Sequence, residues 1–525
     1  MKKIKYILMG LAVLGLASCN SYLDTMPDNR AEIDSPEKVR KLLVTAYPST
    51  SYIATCEISS DNVDYMGASN PYGSIFSDQL FNWEDVTEFD NDGPRMVWSS
   101  CYTAISSANH AIDAINALGS PQELRGALGE ALLCRAYSHF LLVNMFSLHY
   151  SEEFSENDLG IHYMIEAETT LDPKYERESV KSNYTDIEND IEEGLKLIKE
   201  ASYDIPKYHF NVKAAYAFAT RFYLYKGDMD KVIEYASEVL GAAPLGMLRD
   251  NAYLATLPQD GGATAIEFVS PSMKSNLLLL AATSKLGYIY GPSYTESRYT
   301  HNKLLTDTET YGVKRTPWKE FSEDAIKKVY HVRYRHYGGT NLDKVIMPRN
   351  PFFFEYTDPV AGVGYRKTVF PAFTTDEALL SRAEAYVRTK QYGLAVQDIN
   401  LWLQAYVKDY VAVKEDDIVK WAQSYEYYTP DKPTPKKALN PDFTIEQGKQ
   451  EEILQYVLYL RRFETLQLGL RWFDIKRYGM TITRRLIEGG KIASVLPLTL
   501  EKRDNRFAFQ LPSEVITAGM TPNPR

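Results

Sequence analysis

Apolar residues recur at intervals of three and four over several long stretches of this chain, the spacing that lays them along one stripe of an α-helix. From Pro94, residues Trp98, Cys101, Ile105, Ala108, Ile112 and Ile115 fall on one such stripe. From Pro121 a second stripe runs through Leu124, Leu128, Leu132 and Ala136, then turns apolar all round at Phe140-Leu141-Leu142-Val143. That change predicts burial on every side. Gly119-Ser120-Pro121 between the two predicts an antiparallel hairpin. Upstream, Ser35-Pro36 reads as an N-cap and first-turn proline of a helix running toward Tyr47. Tyr184, Ile187, Ile191, Leu195 and Ile198 line a further helix, and Lys213 to Lys226 forms the next. A last long helix is predicted from Glu451 to about Tyr478, with Ile453, Tyr456, Leu460, Phe463 and Leu470 inward. Its other face carries Arg461, Arg462, Glu464, Arg471, Asp474 and Arg477. Arg461/Glu464 and Asp474/Arg477 stand three apart there and are expected as surface ion pairs.

Two segments share a finer pattern, Tyr223-Gly227-Met229-Val232-Ala236 and Ala383-Tyr386-Tyr392-Ala395-Ile399. Both fit tetratricopeptide units, in which small residues let paired helices approach; generic helical hairpins match them as well. Residues 59–93 and 242–372 are rich in Gly, Pro, Asn and aromatics, with a β-like run at Lys328 to Tyr334. Irregular chain carried on a helical frame is where binding residues concentrate.

The amino terminus changes the picture. Lys2, Lys3 and Lys5 precede an apolar run from Tyr6 to Ala17, too short to span a bilayer and suited to a signal peptide. Leu16-Ala17-Ser18-Cys19 then reads as a bacterial lipobox, predicting that residues 1–18 are removed and Cys19 is lipidated. Residues 19–525 are expected to form one domain, held to the membrane by the lipid, since several acyl chains anchor firmly. Cys56, Cys101 and Cys134 remain, an odd number without a CxxC. Neither a disulfide framework nor a zinc site is indicated, although a Cys101–Cys134 bridge stays open. Of 525 residues, 45% are hydrophobic and 24% charged, ample for a large core. The net charge of −11 argues against nucleic acid as a partner.

No GxSxG elbow, HExxH, phosphate loop or GxGxxG is present, so no catalytic motif marks an enzyme. His331 and His336 are expected on opposite faces of a strand, which excludes them as joint metal ligands. Glu88, Asp90, Asp92 and Gly93 resemble the opening of a calcium loop, but its twelfth position is Ser99 rather than a glutamate. No cofactor and no metal is therefore expected. Aromatics on loops remain: their faces can stack on sugar rings while neighbouring polar groups hold hydroxyls. The candidate ligand-binding residues are Asp61, Tyr65, Tyr72, Trp83, Tyr294, Tyr299 and Trp318.

Several blocks together resemble the SusD/RagB-like outer-membrane lipoproteins of Bacteroidetes nutrient-uptake systems. They are the start Cys19-Asn20-Ser21-Tyr22-Leu23-Asp24-Thr25-Met26-Pro27, the helix Trp98…Tyr102…Ile105…Asn109, and Glu130-Ala131…Arg135-Ala136-Tyr137. Arg382-Ala383-Glu384-Ala385, Ile399-Asn400, the block Gly469 to Gly479, and the tail Leu511-Pro512-Ser513-Glu514 with Asn523-Pro524 complete the set. Leu468 departs from the glutamate common in that family, which puts a local ion pair in doubt. The resemblance implies a mainly α, SusD-like fold: about four tetratricopeptide-like helix pairs in a superhelical scaffold, a loop-rich ligand-binding face and a few short strands. It implies a surface lipoprotein of the outer membrane that captures an oligosaccharide for a TonB-dependent SusC-like transporter. Oligopeptide capture in the same role is the alternative, and a secreted hydrolase the remote one.

Overall fold

A computed structural model describes residues 33–167, 174–199, 203–258, 260–292 and 297–525. Cys19, Tyr294 and the lipobox lie outside the described residues.

The chain opens with α1 (Pro36–Leu43), α2 (Ile53–Ser59), β1 (Asp64–Tyr65) and α3 (Ile75–Asn82). Ser35 caps α1 by accepting from the Lys38 amide, with Pro36 in its first turn. A helical layer follows: α4 (Pro94–Ala117), α5 (Arg125–Phe146), α6 (Val180–Leu197), α7 (Val212–Lys226) and α8 (Met229–Leu240). The α4/α5 hairpin is the one the apolar stripes predict, and α5 is buried almost all round from Gly129 onward. Its crossing with α6 runs through two glycines. A Cβ on Gly129 would stand 2.6 Å from the Ile198 amide, and one on Gly194 2.8 Å from Leu133. The Tyr223–Ala236 segment is a helix pair, α7 and α8, closed by Gly227 at φ +94°. Cys101 and Cys134 are buried free thiols, so no bridge joins α4 to α5.

The middle of the chain supplies the strands β2 (Asn276–Thr283), β3 (Tyr299–Thr300), β4 (Arg335–Tyr337), β5 (Lys344–Ile346), β6 (Phe353–Asp358) and β7 (Val363–Thr374), with short helices between. They form an antiparallel β2-β7-β6 sheet and a β4/β5 pair. The predicted run over Lys328–Tyr334 is not a strand: it holds only an isolated bridge, Tyr330 to Val407, and the strand begins at Arg335. β7 leads straight into α9 (Thr375–Arg388), followed by α10 (Tyr392–Tyr406) as the second predicted helix pair. α11 (Glu415–Gln423), α12 (Lys449–Thr465), α13 (Arg471–Tyr478) and the hairpin β8 (Ile482–Glu488)/β9 (Lys491–Leu500) complete the labelled elements. A second sheet, ordered β3-β1-β8-β9, pairs Tyr65 with both Tyr299 and Leu486. This pairing draws the two loop-rich regions together. The architecture is therefore mainly helical with a few short strands. Among the described residues no helix is long and apolar enough to cross a membrane.

The predicted last helix is two helices. Gln467 and Gly469 take φ values of +62° and +78°, which end α12 and turn the chain into α13. The buried carboxylate of Glu57 accepts from both their amides, at 2.7 and 3.1 Å, so the break is anchored from α2. The charged face expected on the surface is instead inside: Arg461, Arg462, Glu464, Arg471, Asp474 and Arg477 are all buried. Glu464 receives the Trp402 indole N–H at 3.1 Å rather than pairing with Arg461. Arg461 and Arg477 converge on Asp474, and Arg477 also reaches Glu384 at 2.9 Å. A buried charge is tolerated only when paired and hydrogen-bonded; the four arginines and Asp474 are paired, whereas Glu464 is hydrogen-bonded but has no cation in ion-pair distance among the described residues, and burial pushes its carboxyl up to about 7. Leu468, which replaces the expected glutamate, packs with Leu254, Phe268, Val269, Met273 and Leu279 in a small apolar cluster.

Candidate functional site

The loop between β1 and α3 is held by side chains that reach across the chain. The Asn70 amide accepts from the Tyr72 N–H at 2.9 Å and donates to the Asn341 carbonyl at 2.8 Å. Arg298 donates to the Asn70 carbonyl at 3.1 and 3.2 Å. Its guanidinium lies so close against Gly73 that a Cβ there would meet it at 2.2 Å. Ser74 then caps α3 through a reciprocal pair with Ser77.

The acidic turn before α4 braces the other side. Glu88 accepts from the Phe76 amide at 2.7 Å, Asp90 pairs with Lys285, and Asp92 accepts from the Ser284 hydroxyl and, at 2.7 Å, from the Lys285 amide. Asp90 and Asp92 of the calcium-like stretch thus fix residues 284 and 285, and Glu88 holds the start of α3. Burial pushes Asp92 up to about 7 against those hydrogen bonds.

Between these supports lies an open cavity of about 260 Å³, lined by Pro71, Tyr72, Ser74, Lys285, Tyr288 and Arg366 among others. Enclosed small-molecule sites are larger, roughly 300–1,000 Å³, so this opening suits part of a longer ligand laid across it. Tyr288 is half-buried, with the Arg366 guanidinium 4.2 Å above its ring and Phe352 at 5.9 Å. Tyr72 is exposed, and Lys344 stands 5.6 Å from its ring centre. The chemistry offered is flat apolar faces beside cations and hydroxyls.

Of the predicted ligand-binding residues, Tyr72 stands on this face. Tyr65 is half-buried, its ring 5.6 Å from Tyr299 and 6.1 Å from Phe81. Tyr299 is buried, stacked on Phe81 at 4.2 Å, and donates to Asp78 at 2.7 Å. Trp83 is buried at the left-handed end of α3, donating to the Ser59 carbonyl at 2.9 Å beneath Arg484. Asp61 faces the core, bound at two 2.8 Å contacts by Arg471, with Arg462 and Lys437 beside it. Burial raises the Asp61 carboxyl, but Arg462 and Arg471 outweigh that and hold it well below its ordinary value. Trp318 is half-buried and packs on the core. The expectation that Asp61, Trp83 and Tyr299 present themselves to ligand is therefore corrected: each is buried or committed, and together they hold the loops. Tyr288, Arg366, Lys285 and Lys344 were not anticipated. The aromatic–cation character of residues 285–288 was the only local signal, and nothing in the sequence joined it to Arg366.

Residues 21–224 match the family model SusD-like_3, described as "Starch-binding associating with outer membrane". No curated protein matches the chain. Among solved structures, a putative sugar binding protein from Bacteroides vulgatus superposes with a TM-score of 0.64 at 18% identity, covering 94% of this chain and 99% of its own. A SusD superfamily protein from the same organism gives 0.62 at 18%, covering 93% and 97%. Another from Bacteroides thetaiotaomicron gives 0.61 at 17%, covering 93% and 98%. Residues 21–224 are thus similar in sequence to the SusD-like family model, and nearly the whole chain shares the fold of these solved structures.

Proposed function

We propose that this protein is a lipid-anchored outer-membrane receptor that captures an oligosaccharide and passes it to a TonB-dependent SusC-like transporter, without breaking bonds in the ligand. The observation that carries the reading is the open face of Tyr72, Tyr288 and Arg366 on a SusD-like frame. Aromatic rings at an open surface suit the apolar faces of sugars, and the adjacent cations and hydroxyls suit their oxygens. The matched family's description and the sugar-binding relative point to the same ligand class. Residues 1–18 are the removed signal peptide in this reading, and Cys19 carries the lipid.

Affinity electrophoresis and calorimetry of the chain from Cys19 onward, against a panel of polysaccharides and oligopeptides, test the ligand class. The expected result is glycan binding that weakens about tenfold in Tyr288→Ala, the loss of about 1.4 kcal/mol of contact. Equal binding by wild type and a Tyr72→Ala/Tyr288→Ala double variant removes the site; binding of peptides alone replaces the ligand; product release revives the hydrolase. Labelled palmitate should enter the wild type and not Cys19→Ala. Co-purification of a SusC-like transporter with the membrane-extracted protein tests the partner.

A further inference from the structure

The β6/β7 hairpin leaves the body of the protein as an arm. β2 pairs with β7 from Thr374 back to Lys367 and ends there at Thr283, whereas β6 continues with β7 toward the turn. β7 accordingly passes from buried over residues 370–374 to exposed at Tyr365 and Val363. A two-stranded ribbon is marginal in water by itself, and this one is tied by its own polar groups. Lys367 pairs with Glu355 at 3.1 Å and donates to the Thr283 hydroxyl at 3.0 Å. Thr357 donates to the Val363 carbonyl at 3.2 Å, and the Asp358 carboxylate accepts from the Val360 and Ala361 amides at 2.9 and 3.0 Å.

The two faces of the arm differ. Residues directly opposed in an antiparallel pair share a face, as do alternate residues of one strand. Phe353 and Glu355 therefore stand with Lys367 and Tyr365 on one face, and Phe354 and Tyr356 with Arg366 and Gly364 on the other. The Glu355 carboxylate belongs to the first face, and that of Asp358 is taken up by the turn. On the second face Phe354 and Tyr356 meet edge to face, their ring centres 4.8 Å apart. The Phe354 ring reaches over Gly364, where a Cβ would stand 2.8 Å from it. Gly364 does not take a positive φ, so its backbone conformation does not call for glycine. Glycine weakens a strand and marks a place of close approach; here it gives the Phe354 ring room to lie along the arm. Tyr356 beside it is 58% exposed.

At its root this face runs into the aromatic cavity. Arg366, opposite Phe354, is the residue whose guanidinium lies over Tyr288, and both line the 260 Å³ opening with Tyr72. Rings and cation are thus continuous from Tyr72 and Tyr288, through Arg366, to Phe354 and Tyr356. Two aromatic side chains offer roughly 300–500 Å², well short of the roughly 800 Å² per partner of a stable protein interface. A sugar chain is the ligand of matching size.

We infer that the arm is a second glycan subsite, and that the ligand is an extended polysaccharide: one stretch sits in the opening of Tyr72 and Tyr288 while the next lies along Phe354 and Tyr356. The inference rests on the glycan-capture reading and adds the length and direction of the bound chain.

The test is calorimetry of the chain from Cys19 onward with matched short and long probes: maltotriose and amylose, xylotriose and xylan, cellotriose and soluble β-glucan. The polymer of at least one pair should bind about tenfold tighter per occupied stretch than its trisaccharide, each added stacking ring being worth about threefold or more. Phe354→Ala/Tyr356→Ala should lower polymer binding about tenfold, leave trisaccharide binding unchanged and keep the melting temperature, since the arm stands outside the core. Tyr356→Ala alone, at an exposed side chain, should cost about threefold and serves if the double variant is unstable. Tyr356→Phe keeps the ring and should bind as wild type. Equal losses for polymer and trisaccharide would make the rings mere supports of Tyr288 and overturn the inference, as would unchanged polymer binding in the double variant. Unchanged polymer binding with loss of a co-purified transporter overturns it too and assigns the arm to that protein. Glycan capture stands in each of these cases, whereas failure of every glycan to bind overturns both.

Discussion

Arg462, Arg485 and Lys437 crowd around Glu309 in the core, whereas Arg333 and Lys408 are exposed with no acid in ion-pair distance among the described residues. The residue types are the same and their treatment is opposite. In this network each cation has a geometry-matched acid: Arg471 grips Asp61, Arg485 grips Asp64 at 2.9 Å, and Lys437 reaches Glu309 at 2.7 Å. The low dielectric makes an orphaned charge there very costly. Outside, water screens the charges, so leaving them unpaired costs little and keeps them available. The comparison separates charge that holds the loops from charge that faces water, and Asp61 belongs to the first kind.

The sharpest way to break this division is to remove an internal acid. Glu309→Gln keeps the shape but leaves Arg462, Lys437 and half of Arg485's contacts short of a counter-charge. The expected loss is about 3–5 kcal/mol in urea unfolding; less than about 1 kcal/mol would mean that the buried cations do not depend on it. Trp83→Ala should cost nearly as much, about 3–5 kcal/mol, because it empties a buried site and removes one of the two donors, with Arg484, to the Ser59 carbonyl. If Trp83→Ala instead lowered glycan affinity at unchanged stability, the indole would be a ligand contact and the present assignment wrong.

The same network sets a pH dependence. Burial alone would raise the Glu309 carboxyl, but Lys437, Arg462 and Arg485 outweigh it and hold it at about 2, against an ordinary value of 4.5. A carboxyl lowered in the folded state contributes stability that is complete above pH 4.5 and is lost as pH falls through 2. Wild type should therefore weaken across that window in acid titrations followed by circular dichroism. Glu309→Gln should show a shallower slope there; an identical slope would assign the acid sensitivity to other groups.

How much of this was legible follows the range of the interactions. Ser35-Pro36, the α4/α5 stripes and Gly227 are local devices, so their elements stand where the periodicity put them. The break at Gln467–Gly469 was not legible, because apolar spacing continues through it and the anchor, Glu57, is some 410 residues away in sequence. The arginines of α12 and α13 read as a solvated face, since alternating charge usually is one; partners on α9, in the turn after α2 and in the 309 region bury them. The β8/β9 hairpin had a signal, Gly489-Gly490 between two β-rich runs. At the site, Tyr72 was legible as a loop aromatic, but exposure is a property of the assembled fold, and the same reasoning also selected Trp83 and Tyr299, which are buried. Tyr288 and Arg366 meet only through the β2/β7 pairing.

The smallest effect concerns what the external cations contribute beyond charge. Arg366 places its guanidinium carbon over Tyr288, 4.2 Å from the ring centre. That contact holds the tyrosine in place, and a lysine keeps the charge without the plane. If Tyr288 must be held to stack on a sugar, Arg366→Lys should weaken glycan binding about threefold with the salt dependence unchanged. If Arg366 acts only through charge, Arg366→Lys should bind as wild type and Arg366→Gln should lose affinity chiefly at low salt. Calorimetry of both variants at two salt concentrations separates these outcomes. The geometry favours the first, because Tyr288 is only half-buried and Arg366 covers it from the β7 side, whereas Lys285 beside it is already paired with Asp90.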